Sequence, residues 1–160
     1  MGDPAGVRLL PGAGPAVARL NTAGLPVVIV SNQSGIARGL YGREAYDAVE
    51  QRVDQLLAAA GARIDGHYFC PHHPEITGPC ECRKPGLLLF QQAAERLELD
   101  LRRSWWVGDR LSDVRPAARL GGRGILVLTG EGTKEAGQAE RDGFWVAPDV
   151  AGAVSLILAG

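Results

Sequence analysis

Three thiols and two imidazoles crowd into Cys70-Pro71-His72-His73 and Cys80-Glu81-Cys82, a CxH and a CxC separated by seven residues. Three thiolates and one imidazole make the closed tetrahedral shell that structural Zn²⁺ sites use, with no position left for water or substrate. The plainer reading, three free thiols that happen to cluster, runs against the habit of free Cys, which is usually buried singly as a small hydrophobe. Spacing leaves the choice between His72 and His73 open. Directly after this loop comes Arg83-Lys84-Pro85-Gly86, expected to open a helix with Pro85 in its first turn, where a missing N–H costs nothing. An ammonium beside the unpaired N–H groups and positive dipole end of a helix start completes a phosphate site. The ordinary fate of a lysine is a solvated surface, but Lys84 and Lys134 are the only lysines among 17 basic residues, so neither reads as filler.

Two further segments end apolar runs in polar side chains. Val30-Ser31-Asn32-Gln33-Ser34-Gly35 offers a hydroxyl and several backbone N–H groups, an arrangement that can converge on an anion at the C-terminal end of a parallel strand. The same residues also suit an ordinary turn. Trp105-Trp106-Val107-Gly108-Asp109-Arg110-Leu111-Ser112-Asp113 places two acids at i, i+4 around a helix start. A carboxylate at a strand end can take Mg²⁺, which uses few protein oxygens and keeps positions for water and phosphate, and Asp113 one turn on could orient that shell. Taken singly, an Asp there is also a favoured N-cap.

The elements that must position these groups alternate between short apolar runs and amphipathic stretches, the pattern of a parallel sheet with crossover helices. Strands are expected at Leu25 to Val30, His67 to Phe69, Ser104 to Val107, Gly124 to Leu128 and Phe144 to Val146. Runs as continuous as Pro26-Val27-Val28-Ile29-Val30 predict central strands covered on both faces. Arg43 to Ala60 carries Ala45, Val49, Val53, Leu56 and Ala60 at helical spacing, with Gly61 as its stop. Further helices are expected at Gly12 to Ala23, Leu87 to Leu97, Leu111 to Leu120, Thr133 to Arg141 and Val150 to Leu158. No repeat, low-complexity tract or linker divides the chain, so its 160 residues predict a single domain large enough to bury a core unaided.

Bulk properties narrow the function. With 17 basic against 18 acidic residues, no net field favours nucleic acid or an anionic membrane surface. The longest apolar run is far too short to span a bilayer, and Met1 to Leu10 lacks the pattern of a signal peptide. An odd, clustered set of three cysteines suits a metal site in a reducing compartment, so a soluble cytoplasmic protein is expected.

In that order, Ser31, Lys84 and Asp109 resemble motifs two, three and four of the haloacid dehalogenase-like hydrolases. Leu9-Leu10-Pro11-Gly12, Ser31-Asn32-Gln33-Ser34-Gly35-Ile36-Ala37-Arg38-Gly39, Cys70-Pro71-His72-His73-Pro74, Cys82-Arg83-Lys84-Pro85 and Val107-Gly108-Asp109 resemble the branch of D-glycero-D-manno-heptose 1,7-bisphosphate and histidinol-phosphate phosphatases. The resemblance runs from Leu9 to Ala159 and implies a Rossmann-like three-layer α/β sandwich with a zinc loop and no large cap. It implies that Ser31 and Lys84 grip a phosphoryl group, converging with Asp109, which holds Mg²⁺. Cys70, His72, Cys80 and Cys82 would hold zinc, leaving His73 as a neighbour. Asn32, Gln33, Ser34, Arg83 and Arg110 would contact the remainder of a small phosphorylated sugar, and the planar donor fork of Arg83 is best suited to discriminate among them.

The family's reaction passes through an aspartyl-phosphate formed on the first Asp of a DxD motif, with the second Asp as proton shuttle. That motif ends a strand preceding the segment that matches Leu9 to Gly12. Here eight residues precede Leu9, and their sole acid, Asp3, neither follows an apolar strand nor has a second carboxylate beside it. A strand lost from the middle of such a sheet would leave ladder groups unpaired at about 1–3 kcal/mol each. An N-terminally shortened chain with negligible turnover is therefore expected. The competing reading is a zinc-stabilised module that binds phosphate without hydrolysing it, and a zinc-finger-like nucleic-acid module is disfavoured by the balanced charge. Sequencing the coding DNA upstream of Met1 should reveal an in-frame stretch encoding DxDG; a stop codon there without it removes the truncation reading.

Overall fold

The alternation of apolar runs and amphipathic stretches folds as strands and crossover helices, described for residues 3–160 in a computed structural model. The chain forms two compact units, the first ending at Arg83 and the second running Lys84–Gly160. The first unit contains α1 (Ala13–Thr22), β1 (Val28–Asn32), α2 (Arg43–Ala59), β2 (Gly66–Cys70) and the single turn α3 (Pro74–Thr77). The second contains α4 (Leu88–Leu97), β3 (Trp105–Gly108), α5 (Leu111–Leu120), β4 (Arg123–Val127), α6 (Gly132–Arg141), β5 (Trp145–Ala147) and α7 (Val150–Ala159). Strands and helices are the expected ones, with ends shifted by a few residues, apart from the single turn α3, which the sequence reading did not expect.

In the first unit β1 and β2 pair in parallel, from Val28 opposite Gly66 to Asn32 opposite Cys70. α2 supplies the crossover between them. Its buried residues are Tyr46, Val49 and Leu57, so the apolar face is rotated from the predicted stripe toward Tyr46. The cause is the ring of Phe69 on β2, 4.3 Å from that of Tyr46. Gly61 ends the helix as expected: its φ of +77° is open to glycine at no steric cost, and Ala62 N–H closes back on the Leu57 carbonyl at 2.9 Å.

The second unit builds its sheet in the order β3-β4-β5, again all parallel. Only β4 meets the expectation of a strand covered on both faces. Ile125 and Leu126 are 0 % exposed, while β1 is half-buried along its length and Val107 on β3 is 38 % exposed. Continuous apolarity did not distinguish these cases, because in each sheet the number of partner strands and covering helices sets burial. Leu126 packs with Leu111, Val114 and Ala139, flanked by Ala136, Phe144 and Val146, so α5 and α6 are pinned to the same strand.

One expected element differs. α4 starts at Leu88 with Leu87 as its N-cap, so Lys84, Pro85 and Gly86 lie in the preceding turn and not in the helix. The Lys84–Pro85 peptide is cis. Lys84 therefore owes its position to that turn rather than to a helix dipole. Among the described residues no helix is long and apolar enough to cross a membrane.

Leu126→Ala would remove a fully buried side chain from the point where two helices meet the sheet. The expected loss is about 2–5 kcal/mol of stability, read as a lower urea midpoint at unchanged m-value.

Candidate functional site

Parallel pairing places chemistry at the C-terminal ends of strands, and both units follow that rule. In the first, the β1–β2 register brings Ser31 and Asn32 level with Phe69 and Cys70. The ladder continues one residue further, where Gln33 N–H donates to the Cys70 carbonyl at 2.8 Å. The chain then turns: Ile36 N–H donates to the Gln33 carbonyl at 3.1 Å, and Arg38 N–H to the Ser34 carbonyl at 3.1 Å. Ser31 is half-buried, and the Gln33 side chain is turned inward onto the Ser31 and Tyr41 hydroxyls.

Cys70, at the end of β2, meets His72, Cys80 and Cys82 so closely that one ligand atom from each lies within 4.8 Å of the others. Individual separations are 3.6 Å from Cys70 Sγ to Cys80 Sγ, 3.7 Å from Cys80 Sγ to Cys82 Sγ, and 3.6 and 3.2 Å from His72 Nδ1 to the sulfurs of Cys70 and Cys82. A tetrahedron with metal–sulfur bonds of about 2.3 Å has edges of about 3.8 Å, so the donor set fits one four-coordinate ion. The histidine left open by spacing is settled here by geometry: His72 joins the thiols, whereas His73 Nδ1 accepts from Glu75 N–H at 3.1 Å and caps α3.

The thiols differ in acidity. Burial, followed by bonds from the other two thiols, pushes Cys82 up to about 12. Burial likewise raises Cys70 above the usual thiol range. Burial also acts to raise Cys80, but the Arg83 backbone N–H, His72 and the two neighbouring thiols outweigh it and bring Cys80 down to about 7. Arg83, next along, has its Nη1 buried without a hydrogen-bond partner.

In the second unit, Lys84 Nζ lies 2.7 Å from Asp113 Oδ1, with both side chains mostly buried. The other oxygen of Asp113 accepts from Arg110 N–H at 3.1 Å. Asp113 thus ties Lys84 to the turn that carries Asp109. Asp109 follows β3, and its Oδ2 accepts the Glu131 N–H at 3.0 Å. A Cβ on Gly130 would come within 2.3 Å of that oxygen, so only glycine lets this loop approach the carboxylate. Leu111 N–H donates to Glu135 Oε2, so a carboxylate from α6 holds the start of α5 as well. Asp109 and Leu111 are each fastened to the segment of Glu131 and Glu135, and Arg110 between them is held by Asp113 one turn on.

Tyr41, Glu131 and Glu135 were not singled out by sequence. Glu131 and Glu135 carry a weak signal, two acids flanking a glycine and opening a helix beside the scarce Lys134, which reads as ordinary helix-start chemistry. Glu131 is partly exposed, and its bond of 2.6 Å to Lys134 holds it below the usual carboxylate range. Asp3 sits at no strand end: its carboxylate caps the turn Pro4–Gly6 by accepting Ala5 N–H at 2.9 Å.

Residues 81–153 match the family of HAD-hydrolase-like proteins. A D-glycero-beta-D-manno-heptose-1,7-bisphosphate 7-phosphatase of Pseudomonas aeruginosa is 35 % identical over 149 residues, which is 93 % of this chain and 83 % of that protein. The Yersinia pestis protein of the same name is 41 % identical over 82 % of this chain and 72 % of its own length. Among solved structures, the D,D-heptose 1,7-bisphosphate phosphatase of Bordetella bronchiseptica, complexed with magnesium and phosphate, superposes with a TM-score of 0.90 at 36 % identity. That similarity spans 98 % of this chain and 87 % of the other.

Because ligand thiols must be deprotonated, a metal ion competes with the protons that raised pKa values keep on Cys70 and Cys82 at neutral pH. Between pH about 7 and 9, apparent Zn²⁺ affinity measured against a competing chelator should fall by about a hundredfold for each pH unit lowered, with about two protons released per ion.

Proposed function

We propose, on the premise that the chain belongs to the haloacid dehalogenase-like hydrolases and to their phosphomonoesterases, that its substrate is D-glycero-D-manno-heptose 1,7-bisphosphate. The observation that carries this reading is similarity over nearly the whole chain to heptose bisphosphate phosphatases. Residues of each unit, taken separately, are consistent with it. Lys84, held by Asp113, supplies a fixed positive charge for a phosphoryl group, and Ser31 supplies a hydroxyl donor. Arg83 has a buried donor still to be met, which suits it to a second anionic group of the substrate.

Asp109 offers an oxygen to a hard cation, with its other oxygen fixed by the Glu131 N–H. Such a half-engaged carboxylate fits Mg²⁺, which binds one or two carboxylates together with phosphate and water. Bound there, Mg²⁺ would offset charge on the phosphoryl oxygens. Asn32, Ser34 and Arg110 complete the substrate contacts in this reading. The four donors Cys70, His72, Cys80 and Cys82 leave no open position, which suits a structural Zn²⁺ that fixes the loop leading into Arg83 and Lys84.

A second reading is favoured by Asp3. The sole acid before Leu9 is exposed and engaged in a turn cap, so these 160 residues hold no carboxylate pair at the end of an apolar strand ahead of α1. In this reading the chain binds the sugar bisphosphate without turning it over.

Isothermal titration and a phosphate-release assay with heptose 1,7-bisphosphate and Mg²⁺ separate the two. Mg²⁺-dependent release is the outcome of the first reading, and binding with negligible release that of the second. Lys84→Ala should weaken binding by about 1.5–3 kcal/mol, about tenfold or more, as the loss of a charge-assisted bond requires. Release that depends on Mg²⁺ would establish turnover by this chain, and an unchanged affinity in Lys84→Ala would remove Lys84 from the site.

A further inference from the structure

Gln33 is buried, at 8 % exposure, and its carboxamide must find its hydrogen-bond partners inside the protein. Its carboxamide oxygen lies 2.5 Å from the Tyr41 hydroxyl, and its nitrogen 3.2 Å from Ser31 Oγ. These two lengths assign the protons. A contact of 2.5 Å is in the range of an O–H···O bond and too short for N–H···O, whereas 3.2 Å suits N–H···O and is long for O–H···O. A carbonyl oxygen carries no proton, so Tyr41 must donate to Gln33, and Gln33 must donate to Ser31.

The consequence falls on Ser31. With one lone pair of its oxygen filled by an N–H, the hydroxyl proton has to point elsewhere, toward an acceptor. A phosphoryl oxygen, which only accepts, can be the target of that proton with no rearrangement of Gln33.

We infer that Tyr41 is a positioning residue: by donating to Gln33 it fixes the sense of the amide, and the amide makes Ser31 an obligate donor toward a bound phosphate. The inference rests on the reading of Ser31 as a phosphate contact. Burial raises the Tyr41 pKa, which keeps the phenol protonated at neutral pH. The backbone is shaped for this contact. A Cβ on Gly35 would stand 2.3 Å from the Tyr41 ring, so glycine at that position lets the ring lie against the loop and reach Gln33. Without the phenol, the amide can turn over and offer its oxygen to Ser31, whose proton is then taken up internally and no longer offered to an anion.

The test is a ³¹P NMR titration of the intact chain with inorganic phosphate, using Tyr41→Phe, Ser31→Ala and the double variant. Tyr41→Phe keeps the ring and should weaken phosphate binding about three- to tenfold, with zinc content equal to the parent as the check on folding. Ser31→Ala should weaken it at least as much, and Tyr41→Phe should cost nothing more in that background. Gln33→Met, near-isosteric and without an N–H to give, is the second variant and should behave as Tyr41→Phe does. An additional loss on combining Tyr41→Phe with Ser31→Ala would mean that the ring acts through general packing, and would overturn the inference. Weakening in Ser31→Ala with no effect of Tyr41→Phe or Gln33→Met overturns it too, while leaving the phosphate site standing. No binding by the parent, or no effect of Ser31→Ala, defeats the phosphate reading itself and the inference with it.

Discussion

The register of β1 on β2 is the constraint from which the first unit's chemistry follows. Asn32 opposite Cys70 fixes Ser31 at the strand end, and the Gln33 N–H to Cys70 carbonyl bond carries that alignment one step past the last ladder pair. Side chains along a strand alternate faces, so a slip of one residue would send Ser31 to the opposite side and separate Gln33 from its partners. The same pairing sets the origin of the metal loop. Cys70 is both the last residue of β2 and the first candidate metal donor, so a metal ion in the cluster would brace the strand end on which Gln33 leans.

The second unit solves the equivalent problem with carboxylates. β3 delivers Asp109 to the end of the sheet, and a two-residue turn, Asp109 and Arg110, leads from it into α5. Asp113 and Glu135, from α5 and α6, each accept a backbone N–H where that turn enters α5, and the Gly130–Glu131 loop closes on Asp109 itself. Since α5 and α6 share the Leu126 core, rigidity of the apolar interior passes directly to the candidate metal ligand. Buried apolar packing and charge-assisted bonds to backbone are here parts of one device. Lys84 joins it through Asp113, which couples the position of the lysine to that of the Asp109 turn.

Much of this was legible in the residues. Five strands and most helix limits followed from apolar periodicity, because local packing on a sheet imposes a period that the chain must carry in its sequence. The cysteine loop was legible because thiolate ligands are too few and too reactive to cluster without cause. Three features were misread, and each depends on neighbours distant in sequence. The apolar run of β1 did not reveal how few strands would cover it. The α2 face was drawn to Tyr46 by Phe69, which lies on another element. The start of α4 was placed too early, since a proline after a lysine fits a helix start and a preceding turn equally well.

The amino-acid sequence by itself determined the parallel α/β pattern, the candidate metal-donor set up to one histidine, and the family, because these depend on residue types at short spacing. Tertiary structure alone decided that His72 and not His73 faces the thiols, that Asp113 pairs with Lys84, and that Gln33 lies between the Tyr41 and Ser31 hydroxyls. The physical reason is direction. A hydrogen bond or an ion pair depends on where a side chain points and at what distance its partner stands, and those are set only when separate elements are packed against one another.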